Sequence, residues 1–154
     1  MLQIVGVAGT FGPLHDGHYI LLNKAFEVGT KVLVALTTEA MLHRKELKEK
    51  IPSYEERKHL LEHYLDNAGY KGRYEIIPLD DPFGVAITLE EQEGIVVSED
   101  TIKGAEKINE IRLEKGMQPL RIFTIKLVTA QDGNPISSTR IRKEEIDIHG
   151  SSVK

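Results

Sequence analysis

The 154-residue sequence contains no cysteine. That excludes disulfides, thiolate metal centres and cysteine nucleophiles, and it fits a reducing compartment, so a cytoplasmic location is expected. No apolar run approaches the ~20 residues that cross a bilayer, and the N-terminus lacks the basic-then-apolar pattern of a secretory signal, so no membrane partner is expected. Positive charge is short as well: 20 Lys and Arg face 24 Asp and Glu, a net charge of −4. A general nucleic-acid surface needs a basic face, so nucleic acid is not an expected partner, and an anionic ligand has to be held by local groups. Internal repeats and linker-like stretches are missing too. One domain over 1–154 is expected, with a tail from about 147 that frays.

What is present is an ordinary globular composition, 40% hydrophobic and 29% charged, in which apolar runs alternate with helical patterns. Residues 2–8 are nearly all apolar, as in a central parallel strand covered on both faces. A helical pattern from Gly17 stops near Gly29, a residue suited to the left-handed position after a helix. Residues 31–37 form a second apolar run at once, completing a βαβ unit. Ser53-Tyr54-Glu55-Glu56 reads as a capping box, opening a helix with Leu60, Leu61, Tyr64 and Leu65 as its apolar stripe and Gly69 as its stop. Strands are expected at 74–79, 94–97 and 120–128. Between the last two, Ser98 caps a helix that runs to Gly116. The expected fold is α/β: a Rossmann-like, doubly wound, five-stranded parallel sheet with helices on both faces.

The stretch that carries chemistry is Gly9-Thr10-Phe11-Gly12-Pro13-Leu14-His15-Asp16-Gly17-His18, between the first strand and the first helix. A glycine-rich turn at a helix mouth leaves N–H groups unpaired beside the positive end of the dipole, and phosphate is the usual guest. His15 and His18 can each donate to phosphate oxygens. The charged stretch 43–50 follows the second strand on the ligand side, where Lys45 or Lys48 could reach a second phosphate. Ile136-Ser137-Ser138-Thr139-Arg140 follows the fifth strand and offers hydroxyls, N–H groups and a guanidinium. Other motifs read as structural. His59-Leu60-Leu61-Glu62-His63 matches the H-x-x-E-H pattern of some zinc peptidases, but no third ligand is evident and the histidines lie at the edge of the apolar stripe. Asp80-Asp81 reads as an acidic turn, and no protein-held metal site is expected. The glycines at 6, 9 and 12 do not give G-x-G-x-x-G, and Glu39 comes late for a ribose acid, which sets aside a dinucleotide-dependent oxidoreductase.

Gly9-Thr10-Phe11 with His15-Asp16-Gly17-His18 resembles the HxGH signature of the nucleotidyltransferase superfamily, and Ile136-Ser137-Ser138-Thr139-Arg140 resembles its ISSTR partner. Within that superfamily the chain is similar to the archaeal-type phosphopantetheine adenylyltransferases and to the adenylyltransferase half of eukaryotic CoA synthase. Three stretches carry this closer likeness: Pro78-Leu79-Asp80-Asp81-Pro82-Phe83-Gly84, Val96-Val97-Ser98-Glu99-Asp100-Thr101, and Gly104 through Ile108-Asn109-Glu110-Ile111-Arg112-Leu113-Glu114. Bacterial enzymes carry arginines where this chain has Ser98-Glu99-Asp100-Thr101, so no arginine contact to ATP is carried over there. The resemblance implies adenylyl transfer from ATP to 4′-phosphopantetheine, with Mg²⁺ as cofactor and dephospho-CoA or CoA as product-side ligands. It further implies that Thr10 positions the acceptor phosphate, with Lys45 or Lys48 offsetting repulsion. His18 serves the α-phosphate and His15 the triphosphate, while Ser137, Ser138, Thr139 and Arg140 hold the β and γ groups. Gly9, Phe11 and Gly17 shape the nucleotide loop. A related enzyme acting on nicotinamide mononucleotide or an alcohol phosphate is the alternative, and a catalytically silent nucleotide sensor is a third reading.

Overall fold

The computed structural model describes residues 1–42, 50–126, 141 and 148–151. Lys45, Lys48 and the Ser137-Ser138-Thr139-Arg140 motif lie outside the described residues. Five strands, β1 (Leu2–Gly9), β2 (Gly29–Thr37), β3 (Tyr74–Leu79), β4 (Gly94–Ser98) and β5 (Arg121–Ile125), form one sheet in the order β3-β2-β1-β4-β5. Every pairing is parallel. Among the described residues four α-helices connect them: α1 (Asp16–Val28), the single-turn α2 (Glu39–Leu42), α3 (Tyr54–Asn67) and α4 (Ile102–Glu114). This is the doubly wound α/β fold that the alternation of apolar runs predicts.

Each face of the sheet has its own core. Val5, Val7, Val32, Val34 and Leu36 alternate along β1 and β2 toward one face, where Leu22, Ala25 and Phe26 of α1 and Leu61 and Leu65 of α3 cover them. On the other face Ile95 and Val97 of β4 meet Ala105 and Ile108 of α4. Buried on both sides, the strands have no room for polar alternation, which is why they read as continuous apolar runs.

Two expectations need correcting. Gly29 does not end α1 in a left-handed conformation; its φ is −126° and it opens β2. It is glycine for space, because a Cβ there would stand 2.5 Å from Val5 Cγ2. In α3 the buried positions are Arg57, Leu61 and Leu65, whereas Leu60 is exposed. An arginine occupies the place in the stripe that the sequence reading gave to leucine. By contrast Ser53 caps α3 as expected, its hydroxyl accepting the Glu56 N–H at 3.2 Å, and Gly69 follows it with φ +91°.

The order of the strands reverses direction between β1 and β4. There the paired register is short, Val5 with Gly94 and Gly6 with Ile95. The Gln92 side chain, almost fully buried, lies against Gly6, where any Cβ would come within 2.5 Å of its amide nitrogen. Its Nε2 donates to the Gly94 carbonyl at 3.0 Å. Ligands of doubly wound sheets bind outside the carboxyl ends of strands at such a reversal.

Candidate active site

The carboxyl end of β1 runs directly into the loop that leads to α1, so Thr10, Phe11, His15 and His18 all sit at the reversal point. Phe11 takes φ +48°, a left-handed conformation that costs a non-glycine residue about 1 kcal/mol or more. Packing holds it there. Its ring is buried against Gly9, where a Cβ would meet the ring at 2.9 Å, and it stands edge-on to the His18 imidazole at 4.8 Å between centroids. His18 in turn stacks on His15 at 3.7 Å. The Gly12–Pro13 peptide is cis.

The two histidines cap the helix. His15 Nδ1 accepts the Gly17 N–H at 3.1 Å, and His18 Nδ1 accepts the His15 N–H at 3.3 Å. This is the reciprocal arrangement of a capping box, built from imidazoles instead of Ser and Glu. Burial pushes the His15 pKa down to about 4, against a smaller upward pull from Asp16. Burial, and then the neighbouring His15, hold His18 well below the usual imidazole range. Both rings are therefore neutral near pH 7. Since each Nδ1 accepts, each proton sits on Nε2, and each ring presents one fixed donor.

The first turn of α1 is less open than its sequence suggests. The Asp16 N–H donates to the Ile148 carbonyl at 3.0 Å, and the His18 N–H to the His15 carbonyl at 2.9 Å. With Gly17 bonded to the His15 ring, these amides are already paired. What the loop can still offer an anion is the helix dipole and the imidazole donors. The C-terminal segment reaches the same corner, where His149 Nδ1 lies 2.9 Å from an Asp16 carboxylate oxygen.

Two side chains beneath the loop escape a sequence reading. Arg57 of α3 is fully buried, and its NH1 donates to the Thr10 carbonyl at 3.0 Å and to Thr37 Oγ1 at 3.3 Å. Thr37, buried at the end of β2, donates to Thr10 Oγ1 at 3.0 Å. Gly12 makes way for this arginine, because a Cβ there would stand 2.9 Å from Arg57 Cδ. The available signal was spacing: Arg57 lies four and eight residues before Leu61 and Leu65, on the face that α3 buries.

The other motifs are occupied structurally. Asp81 accepts the Phe83 and Gly84 N–H groups at 2.9 and 2.8 Å, which lowers its pKa, and Asp80 accepts the Thr38 hydroxyl at 2.7 Å. Ser98, Asp100 and Thr101 bond among themselves at the entrance to α4. His63 pairs with Asn67 at 3.0 Å, and His59 is exposed. Among the described residues no three His, Asp or Glu side chains gather where they could hold a metal ion. No described helix is long and apolar enough to cross a membrane.

The cytidylyltransferase-like family model matches residues 7–144, a span that opens in β1 and takes in the whole histidine loop. Phosphopantetheine adenylyltransferase of Thermococcus gammatolerans is 47% identical, covering 97% of this chain and 94% of its own length. The enzyme of the same name from Methanosarcina acetivorans is also 47% identical, over 95% of this chain and 93% of its own. The chain belongs to the archaeal-type phosphopantetheine adenylyltransferase family. A crystal structure of an Archaeoglobus fulgidus protein of unknown function superposes with a TM-score of 0.71 at 27% identity, covering 81% of this chain and 99% of that one. Membership in the adenylyltransferase family makes the chain a nucleotidyltransferase.

Proposed function

We propose that this site transfers the adenylyl group of ATP to the phosphate of 4′-phosphopantetheine, releasing pyrophosphate and forming dephospho-CoA. The single observation that carries the reading is that the two histidines serve as donors and not as bases. Both histidines have committed the Nδ1 lone pair to backbone N–H groups and are held neutral, leaving only Nε2–H groups. A general base would be needed to activate an alcohol or water. A phosphate monoester needs none, because its oxygen already carries the charge that attacks the α-phosphorus. What remains is to hold two anions in line and to stabilise charge on the α-phosphate and the leaving pyrophosphate.

In that scheme Thr10 positions the acceptor phosphate, and Lys45 or Lys48 offsets its repulsion from ATP. His18 donates to the α-phosphate as charge grows, at an orientation fixed by Phe11 and His15. His15 serves the triphosphate, and Ser137, Ser138, Thr139 and Arg140 the β and γ phosphates. Gly9, Phe11 and Gly17 shape the loop around them, Gly9 by leaving room for the Phe11 ring. Magnesium bound with the nucleotide would neutralise charge on the polyphosphate. Among the described residues no three His, Asp or Glu side chains gather to form a cage for it, and the phosphates would be its main ligands. The relatives' shared name favours phosphopantetheine over nicotinamide mononucleotide or an alcohol phosphate as acceptor. A pyrophosphate-release assay with these three acceptors tests it. 4′-Phosphopantetheine should give by far the highest kcat/KM, and a comparable value with either rival would overturn the assignment.

A further inference from the structure

Two of the described arginines are completely buried, and they are satisfied very differently. Arg112 of α4 sends its donors to the carbonyls of Gln118, Ala86, Leu89 and Gln92, at 2.7 to 3.2 Å. That is a structural clamp on the segment between β3 and β4. Arg57 donates to the carbonyls of Pro52 and Thr10 and to the Thr37 hydroxyl, but its NH2 has no partner. No carboxylate pairs with it among the described ion pairs. Burying a donor without a partner is costly, and Glu39 offsets only part of the desolvation that lowers the Arg57 pKa.

The direction of the hydrogen bonds gives that cost a purpose. A guanidinium can only donate, so Thr37 Oγ1 accepts from Arg57 and its single proton goes to Thr10 Oγ1. Thr10 Oγ1 is thereby an acceptor on its buried side. Its own proton has no other taker among the described residues, and Thr10, unlike Thr37, is partly exposed at the end of β1. We propose that Arg57 and Thr37 are positioning residues forming a one-way donor relay, Arg57 to Thr37 to Thr10, that presents the Thr10 hydroxyl as an obligate donor to the phosphate of the acceptor. Each bond in such a chain polarises the next, and the cation at its root favours an anion at its tip. The Thr10 carbonyl is tied to the same guanidinium, so loop backbone and hydroxyl are aimed together.

The relay rests on the acceptor assignment made above, and the test separates the two. Thr37→Val keeps the shape of the side chain and removes the middle of the relay. Calorimetry should show 4′-phosphopantetheine binding about tenfold more weakly to this variant, while pantetheine, which lacks the phosphate, binds as it does to wild type. KM for the acceptor should rise by the same factor with KM for ATP unchanged. Thr10→Val should have a similar effect, and the double variant should be no worse than Thr10→Val, since both cut one relay. Arg57→Lys keeps the charge but cannot span three acceptors, and it should reproduce the Thr37→Val defect. If it unfolds the protein, the threonine variants still decide. Wild-type phosphopantetheine affinity in Thr37→Val, equal loss for pantetheine, or additive effects in the double variant would overturn the relay. Wild-type protein that binds phosphopantetheine but forms no dephospho-CoA with ATP would overturn the reaction and leave the relay standing.

Discussion

His15 should make the protein sensitive to mild acid in a way that one substitution removes. Its pKa is about 4 in the folded chain and 6.5 in its ordinary state. The unfolded chain therefore binds more protons between those values, and stability rises with pH across that window. The contribution is complete above pH 6.5 and is lost as pH falls toward 4. At pH 4.5 the unfolded histidine is about 99% protonated and the folded one mostly neutral, which amounts to a loss of about 2–3 kcal/mol. His18 acts in the same direction, and Asp81, with its depressed pKa, contributes only at lower pH. His15→Asn isolates the effect, because the Asn side-chain oxygen can accept the Gly17 N–H as Nδ1 does but cannot titrate. Urea unfolding at pH 7.0 and 4.5 measures it. Wild type should lose about 2–3 kcal/mol more than His15→Asn between the two pH values, whatever constant offset the variant carries at pH 7.0. Equal losses, or an NMR titration of His15 near pH 6.5, would refute the burial that the structure assigns to this ring.

Two further outcomes follow from the same contacts. His18→Ala removes a donor aimed at charge that develops in the transition state, so single-turnover rates should fall about a hundredfold or more while ATP affinity by calorimetry changes little. It should also cost about 1–3 kcal/mol of stability, because the His15 N–H loses its acceptor; a variant with full stability or full turnover contradicts one half of this account. Gly29→Ala drives a methyl group into Val5 and should destabilise by about 1–3 kcal/mol in chemical denaturation, with unaltered specific activity in the folded fraction.

The parallel strands and the helices that cover both faces follow from residues visible in the sequence. β1 and β2 are near-continuous apolar runs, and a βαβ connection leaves few ways to arrange them. The errors share a physical origin. Gly29 looks alike as a helix stop and as a strand start, and only the position of Val5 across the β1–β2 pair distinguishes them. Helix caps are ordinarily short polar side chains, so imidazoles closing both halves of a capping box could not be read from spacing, and the first-turn amides were expected to be unpaired. Arg57 was hidden by its charge. Its stem packs like a leucine on the buried face of α3 while its head reaches Thr10 and Thr37, 47 and 20 residues away, and only folding brings these together.

The two-pair register between β1 and β4 gives the molecule a seam. On one side lie β1, β2 and β3, whose ladders are long; on the other lie β4 and β5, and the core under α1 reaches across to Val96, Phe123 and Ile125. Gln92, wedged against Gly6, is the patch over the join. A line with so few backbone bonds opens before the ladders beside it, and amide exchange at Gly94 and Ile95 should report that opening well ahead of Val32 or Val34. The seam runs to the very end of the sheet where the histidine loop begins. A nucleotide lying across it would act as a suture, and the two halves of the protein would be held most firmly together when the site is full.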